Sequence, residues 1–96
     1  ETSLMLHFRP DLVRMDKARD FSSHAECIKG EYRHIFPTGP HALAWIAHDL
    51  NPHGVMGDAS QANAEKGRKL AEHNARGFIE LLREMERYPL SNLYAG

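Results

Sequence analysis

The sequence predicts a mainly helical polypeptide that packs against a sheet lying largely outside these 96 residues. The first observation is a long helical pattern near the C-terminus with one apolar face. The second is that no segment shows the convincing alternation of apolar and polar residues that is typical of a half-buried strand. Two helical segments joined by an irregular middle make a thin core. We therefore expect the long helix to pack on an external sheet rather than on the first helix alone.

The first segment, residues 1–20, is predicted to begin as a helix. Its apolar side chains recur at spacings of four, four and three residues, at Leu4, Phe8, Leu12 and Met15. This spacing places them on one helical face. Since the residue before a proline avoids the α region, we expect the helix to end near Phe8 and a new turn to begin with Pro10. A chain that starts inside a helix also leads us to expect further polypeptide upstream of Glu1.

The second segment, residues 21–57, is predicted to be irregular. It contains most of the glycines and prolines of the chain, and residues 36–40 (Phe-Pro-Thr-Gly-Pro) are typical of a turn. We expect a short helix over residues 41–50 that ends before Pro52. Residues 31–36 are the one candidate here for extended structure.

The third segment, residues 58–88, gives the clearest helical pattern, and Pro89 ends it. Asp58 is a suitable N-terminal cap, with Gln61 three residues later as in a capping box. The apolar stripe consists of Leu70, Phe78, Leu81, Leu82 and Met85. On the polar side, the expected ion pairs with the acid first are Glu65 with Lys69 and Glu72 with Arg76.

Composition excludes several classes of function. Twelve basic and thirteen acidic residues give a net charge of −1, which provides no electrostatic footprint for nucleic acid or anionic lipid. No apolar run approaches the roughly 20 residues that span a bilayer. The single cysteine, Cys27, excludes an intrachain disulfide and suits a reducing compartment such as the cytoplasm. The seven histidines are a weak indication of metal or acid–base chemistry.

Two groups of residues carry a resemblance to a known family. The first is Glu1-Thr2-Ser3-Leu4-Met5-Leu6 followed by Arg9-Pro10-Asp11-Leu12-Val13. The second is Trp45, then Asp49-Leu50, then Gly54-Val55-Met56-Gly57-Asp58, closed by Ala64-Glu65-Lys66-Gly67. In this order and spacing the chain resembles the C-terminal part of creatininase-family enzymes. The first group is similar to the helix that follows the family's His-Ala-Gly or His-Gly-Gly active-site turn.

The resemblance implies an α/β layered fold with a central, mainly parallel sheet, of which this chain is the C-terminal, mainly helical part. It also implies hydrolysis of a non-peptide C–N bond, often in a small cyclic amide, at a site with two divalent metals. The cofactor is expected to be Zn or Mn. The resemblance places the metal ligands on N-terminal elements outside this chain, so we expect the chain to be inactive alone and to need an N-terminal portion or companion chain. An oligomer is expected as well.

Two residues are candidates for the site. Glu1 corresponds to the acidic residue that closes the family's active-site turn, which implies a catalytic carboxylate; the alternative is an ordinary acid in the first turn of a helix. Trp45 is a candidate substrate contact, although a core or interface aromatic is the commoner role. Asp58 is interpreted as a helix cap rather than part of an anion site, and Cys27 as an inert thiol rather than a nucleophile.

Two other functions compete with the enzyme hypothesis. In one, the chain is a helical interaction module without activity, and the apolar stripe binds a partner or a second copy. In the other, His41, His48, Asp49 and His53 form a metal-binding cluster, because the first two are seven residues apart and share a face if their segment is helical.

Overall fold

The computed structural model describes residues 1–93 and divides the chain into two compact units. One unit contains Glu1–Val13 and the chain from Asn63 onward, and the other contains Arg14–Ala62. Most of the described residues are helical, and the only sheet among them has two short strands. This secondary-structure content is consistent with part of an α/β fold. The predicted packing on a central parallel sheet stays a prediction.

The first unit is built from two α-helices and two single turns. Helix α1 spans Thr2–Phe8, and a 3-10 turn follows at Pro10–Leu12. Both lie where the apolar spacing and the proline predict them. Arg9, between the two, has φ −145° and ψ 70°, outside the helical region as expected for a residue before proline. The long helix α4 spans Ala64–Arg87, and a last 3-10 turn spans Leu90–Asn92.

The cap of α4 is Asn63 and not Asp58, which corrects the prediction from sequence. The side chain of Asn63 accepts a hydrogen bond from the Lys66 amide at 2.9 Å. Asp58 instead accepts from the Ser60 amide at 3.1 Å and so caps the separate 3-10 turn Ala59–Gln61. Extended backbone at Ala62 and Asn63 separates that turn from the helix, which is why the capping pattern at Asp58 does not start α4.

Helices α1 and α4 pack together near Gly67, in the first turn of α4. Gly67 is the buried residue of α4, and it faces the backbone of α1. A Cβ atom at this position would overlap the Ser3 carbonyl oxygen and lie 3.0 Å from the Cβ of His7. The Asn63 amide donates to the Ser3 Oγ at 3.2 Å beside this contact. The two helices therefore meet backbone to backbone, with glycine as the residue that permits it.

Most of the apolar stripe on α4 lies beyond the reach of α1. Seven helical residues extend about 10 Å and twenty-four extend about 36 Å, so α1 is too short to cover the whole stripe. All five stripe residues are exposed, with Phe78 and Met85 at 61%. A continuous apolar face of this kind is typical of a surface that packs on something else.

The polar side of α4 carries a three-residue ion cluster around Arg68. Its guanidinium contacts the Glu65 carboxylate at 2.5 Å and the Glu72 carboxylate at 2.8 Å. The sequence predicts that Glu65 pairs with Lys69 and Glu72 with Arg76. In the described residues both acids pair with Arg68 instead, which is three residues after Glu65 and four before Glu72. The hydrogen bonds from Arg68 lower the pKa of Glu65, and those to Glu65 and then Glu72 raise the pKa of Arg68. These groups are exposed, so water screens the cluster and its contribution to stability is small.

The second unit is closed by a short antiparallel ladder. Strand β1 spans Asp20–Phe21 and strand β2 spans Gly57–Asp58, with Asp20 opposite Asp58 and Phe21 opposite Gly57. The Ala59 amide extends the ladder by donating to the Arg19 carbonyl at 3.1 Å. The ladder therefore brings together two points of the chain that are far apart in sequence.

Inside this unit the core is small and partly polar. Helix α2 spans His24–Ile28 and helix α3 spans Ala47–Leu50. The buried residues are Ala25, Leu50 and Asn51. The Asn51 side chain donates to the Ser22 carbonyl at 2.9 Å and accepts from the His53 amide at 2.8 Å. The buried Asn51 amide thus joins two segments of this unit by hydrogen bonds, in a unit whose apolar core is small.

The helix predicted over residues 41–50 forms only at its end, in α3. Leu43 donates its amide hydrogen to the Phe36 carbonyl at 2.9 Å, a bond that closes a loop and takes the amide away from any helical partner. Ile46 is extended, with φ −111° and ψ 163°. Residues 31–36 form no strand. No helix within residues 1–93 is long and apolar enough to cross a membrane.

Replacing Asn63 by alanine is expected to cost about 1 kcal/mol of unfolding free energy, because the first turn of α4 loses its side-chain cap. Asp58→Ala is the matched control, since it removes a cap from the short turn before the helix. Urea denaturation followed by far-ultraviolet circular dichroism measures both. A larger loss of helical signal in Asp58→Ala than in Asn63→Ala would show that the helix start is set at Asp58 after all.

Candidate active site

Glu1 occupies the N-cap position of α1. Its carbonyl oxygen accepts a hydrogen bond from the Met5 amide at 3.1 Å, which is the first bond of the helix. Its side chain makes no capping hydrogen bond, and the residue is exposed. The carboxylate is therefore held at the end of a helix by its backbone, while its oxygens are not used in capping that helix.

Trp45 lies on a loop of the second unit. Its indole Nε1 donates to the Pro37 carbonyl at 3.0 Å, and the residue is 41% exposed. The bond from Leu43 to Phe36 closes the same loop, and both Phe36 and Pro37 are half-buried. One edge of the indole is thus anchored, while a large part of the side chain remains open to a ligand or a partner.

The two candidate site residues belong to different units. Glu1 is in the unit that contains α1 and α4, and Trp45 is in the unit formed by Arg14–Ala62. Each is positioned within its own unit by the contacts described above. That they serve one site stays a prediction.

The histidines proposed as a metal cluster have separate surroundings. The His41 ring contacts the His34 ring at 5.1 Å, and the His48 ring lies against Gly54, where an added Cβ would be 2.9 Å away. His53 contacts the Arg19 guanidinium, with 2.9 Å between Arg19 Nη2 and His53 Nε2. Within residues 1–93 no group of three His, Cys, Asp or Glu side chains is placed to hold a metal ion. This finding does not support the metal-binding alternative.

Asp49, the acidic residue of the proposed cluster, has a structural role. Its carboxylate accepts a hydrogen bond from the Ile46 amide at 2.9 Å, at the start of α3. Cys27 is a free, exposed thiol.

Comparison with known proteins decides the family. The sequence model of creatininase (creatinine amidohydrolase) matches residues 1–82, which include both groups of residues quoted above. The chain belongs to the creatininase family. No curated protein and no solved structure matches it significantly. Membership indicates a hydrolase of the amidohydrolase type, in a family that is generally metal-dependent.

The metal centre that the creatininase family implies does not fit the described residues. A site for a divalent ion needs several carboxylate or imidazole ligands converging on one point. Residues 1–93 bring no three such groups together. Glu1 is exposed at the start of α1, and His41 and His53 each contact a different neighbour, the His34 ring and the Arg19 guanidinium. The described residues therefore cannot hold the metal by themselves.

Sequence reasoning missed the residues that fix α1 on α4. Gly67 closes the second motif, yet nothing in its spacing shows that α1 packs there. The sequence gives no sign that Ser3 contacts Asn63, and the capping pattern at Asp58 points away from Asn63. The one available signal was the glycine itself, because glycine inside a helix costs about 1 kcal/mol relative to alanine and usually has a packing reason.

Trp45→Phe is expected to raise the hydrogen-exchange rate of the Leu43 amide by roughly tenfold or less, because the loop loses its bond to the Pro37 carbonyl and such a bond contributes about 1 kcal/mol. Tyr32→Phe, a matched change at another exposed aromatic of the same segment, should leave that rate unaltered. Exchange measured by nuclear magnetic resonance tests this. Equal rates in wild type and Trp45→Phe would mean that the indole does not anchor the loop.

Proposed function

We propose that the chain forms part of a metal-dependent amidohydrolase that cleaves a non-peptide C–N bond, with cyclic amides as the substrate class. The observation that carries this proposal is the family match over residues 1–82. The metal, Zn or Mn, would be held by residues outside this chain, and it would polarise the substrate carbonyl and activate water. An N-terminal portion of the same enzyme is thus the main partner, and an oligomer in a reducing compartment is part of the same proposal.

Glu1 is the catalytic residue that this chain would contribute. A carboxylate at the reacting centre can accept the proton of the attacking water and later donate it to the leaving nitrogen. Two features of the structure support the assignment. The Glu1 side chain is not used in capping α1, and its backbone is fixed by the bond from Met5.

Trp45 would contact the substrate. An indole offers a flat apolar surface to a small ring-shaped amide, and aromatic side chains commonly line such pockets. The bond from Nε1 to the Pro37 carbonyl supports this assignment, because an anchored ring loses less conformational freedom when a ligand binds.

The apolar stripe of α4 would receive the N-terminal portion. Leu70, Phe78, Leu81 and Leu82 lie within the matched residues 1–82, so this part of the stripe belongs to the family's own domain. The same residues are exposed. Covering an exposed apolar face stabilises the complex by about 25 cal/mol per Å² of apolar surface that is removed from water. An external sheet remains the partner we favour for this face.

The test of catalysis compares this chain alone with the chain joined to an N-terminal portion of a creatininase-family enzyme, with Zn²⁺ or Mn²⁺ present. Creatinine and other small cyclic amides are the substrates. We expect turnover only in the joined protein, and a kcat about 10²–10⁴-fold lower in Glu1→Gln, because an amide cannot transfer the proton. Glu80→Gln, on the polar side of α4, is the matched control and should keep wild-type turnover. Wild-type kcat in Glu1→Gln would remove Glu1 from the mechanism.

The exposed stripe also favours a second function, a helical interaction module without activity. A module of this kind should fold by itself and melt cooperatively, whereas a part of a larger domain should fold poorly until its partner is present.

Leu81→Glu tests whether the stripe is buried against the N-terminal portion, because it places a charge in the stripe. We expect it to abolish folding and activity of the joined protein, since a charge buried in an apolar contact is strongly disfavoured. Arg83→Glu puts the same side chain on the polar side and should be tolerated. Differential scanning calorimetry measures both. A cooperative transition of the chain alone, with no change on adding the N-terminal portion, would favour the interaction module.

A further inference from the structure

The two motifs that carry the family match touch each other directly. Ser3 belongs to the first motif and Gly67 to the last part of the second, and the two are 64 positions apart in sequence. In the structure the Ser3 carbonyl lies against Gly67, at a place where α1 and α4 have no room for a side chain. Motifs that are distant in sequence but in contact in space commonly share one task.

Gly67 sets how close the two helices come. The Cβ of an alanine here would lie 2.5 Å from the Ser3 carbonyl carbon and would overlap the carbonyl oxygen. Both are backbone atoms, which cannot rotate away as the end of a flexible side chain can. An alanine must therefore displace the whole of α1 rather than one side chain.

Ser3 and Asn63 fix α1 along the axis of α4. The Asn63 amide donates to the Ser3 Oγ at 3.2 Å, and the Asn63 side chain accepts from the Lys66 amide at 2.9 Å. The residue that caps α4 thus also binds α1. The contact at Gly67 sets the distance between the helices, and this bond sets their register.

We propose that Ser3 and Gly67 are positioning residues for the Glu1 carboxylate, an inference that rests on the proposed function. Glu1 lies less than one helical turn from Ser3, and the bond from the Met5 amide to the Glu1 carbonyl makes that turn a rigid link. Any shift of α1 at Ser3 therefore reaches Glu1 undiminished. Misplacing a reacting group by about 1 Å can cost roughly 10²-fold in rate. The contact between Ser3 and Gly67, which fixes the position of α1, would therefore affect the rate of catalysis directly.

The experiment uses the joined, active protein with four variants. Gly67→Ala moves α1 by steric overlap. Ser3→Ala removes the hydroxyl that accepts from Asn63, and Ser3→Thr retains it. Gly77→Ala is the matched control, because a Cβ at Gly77 meets no atom within 4 Å. Each variant is measured by steady-state kinetics on creatinine and by its crystal structure.

We expect Gly67→Ala to lower kcat by roughly 10- to 100-fold with little change in KM, and to displace the Glu1 backbone by about 1 Å. Ser3→Ala should lower kcat by about two- to tenfold, and Ser3→Thr should restore it. Gly77→Ala should match wild type in both measurements. A purely structural role would instead lower stability in Gly67→Ala while leaving kcat of the folded enzyme intact.

Two results would overturn the inference. One is a Glu1 position in Gly67→Ala that superimposes on wild type. The other is a displaced Glu1 with wild-type kcat. If the wild-type protein hydrolyses no amide, the proposed function fails by itself, and the displacement of Glu1 still decides whether Ser3 and Gly67 position that residue.

Discussion

The close approach of two backbones at Gly67 is the constraint on which the first unit depends. Helix α1 is too short to be stable in water alone, so its place and its helical state both come from packing on α4. Glycine permits that packing because it has no Cβ to overlap the Ser3 carbonyl, at a cost of about 1 kcal/mol in helix propensity. Asn63 then supplies the cap and the register in one residue.

Local rules of chain geometry predicted the elements of this unit better than they predicted its contacts. The proline after Arg9 and the spacing of Leu4 and Phe8 are enough to place α1, because both act within a few residues. The predicted start of α4 at Asp58 is wrong, since Asp58 and Asn63 are both good caps and only the backbone between them decides which one starts the helix. The docking of α1 at Gly67 is a long-range contact that periodicity does not encode.

In the middle of the chain, too, the sequence predicts local structure but not the contacts that shape it. Its glycines and prolines indicate loops, but the bonds that shape those loops, from Leu43 to Phe36 and from Trp45 to Pro37, join residues without any periodic pattern. Of the candidate site, sequence resemblance supplied both residue names, Glu1 and Trp45. It could not supply their surroundings, because hydrogen bonds to backbone carbonyls depend on the fold and leave no trace in residue spacing.

The ladder between Asp20 and Asp58 has a consequence for how such a chain can change in evolution. It closes the second unit on itself, because each strand lies a few residues in sequence from one end of that unit. The segment between the strands is thus an insertion into the first unit in sequence. Doubling the length of a flexible loop whose ends are held together costs only about 0.6 kcal/mol in entropy. Insertions and deletions in its loops, away from the buried Ala25, Leu50 and Asn51, should be accepted readily, so that loops can diversify while the scaffold that holds Glu1 stays the same.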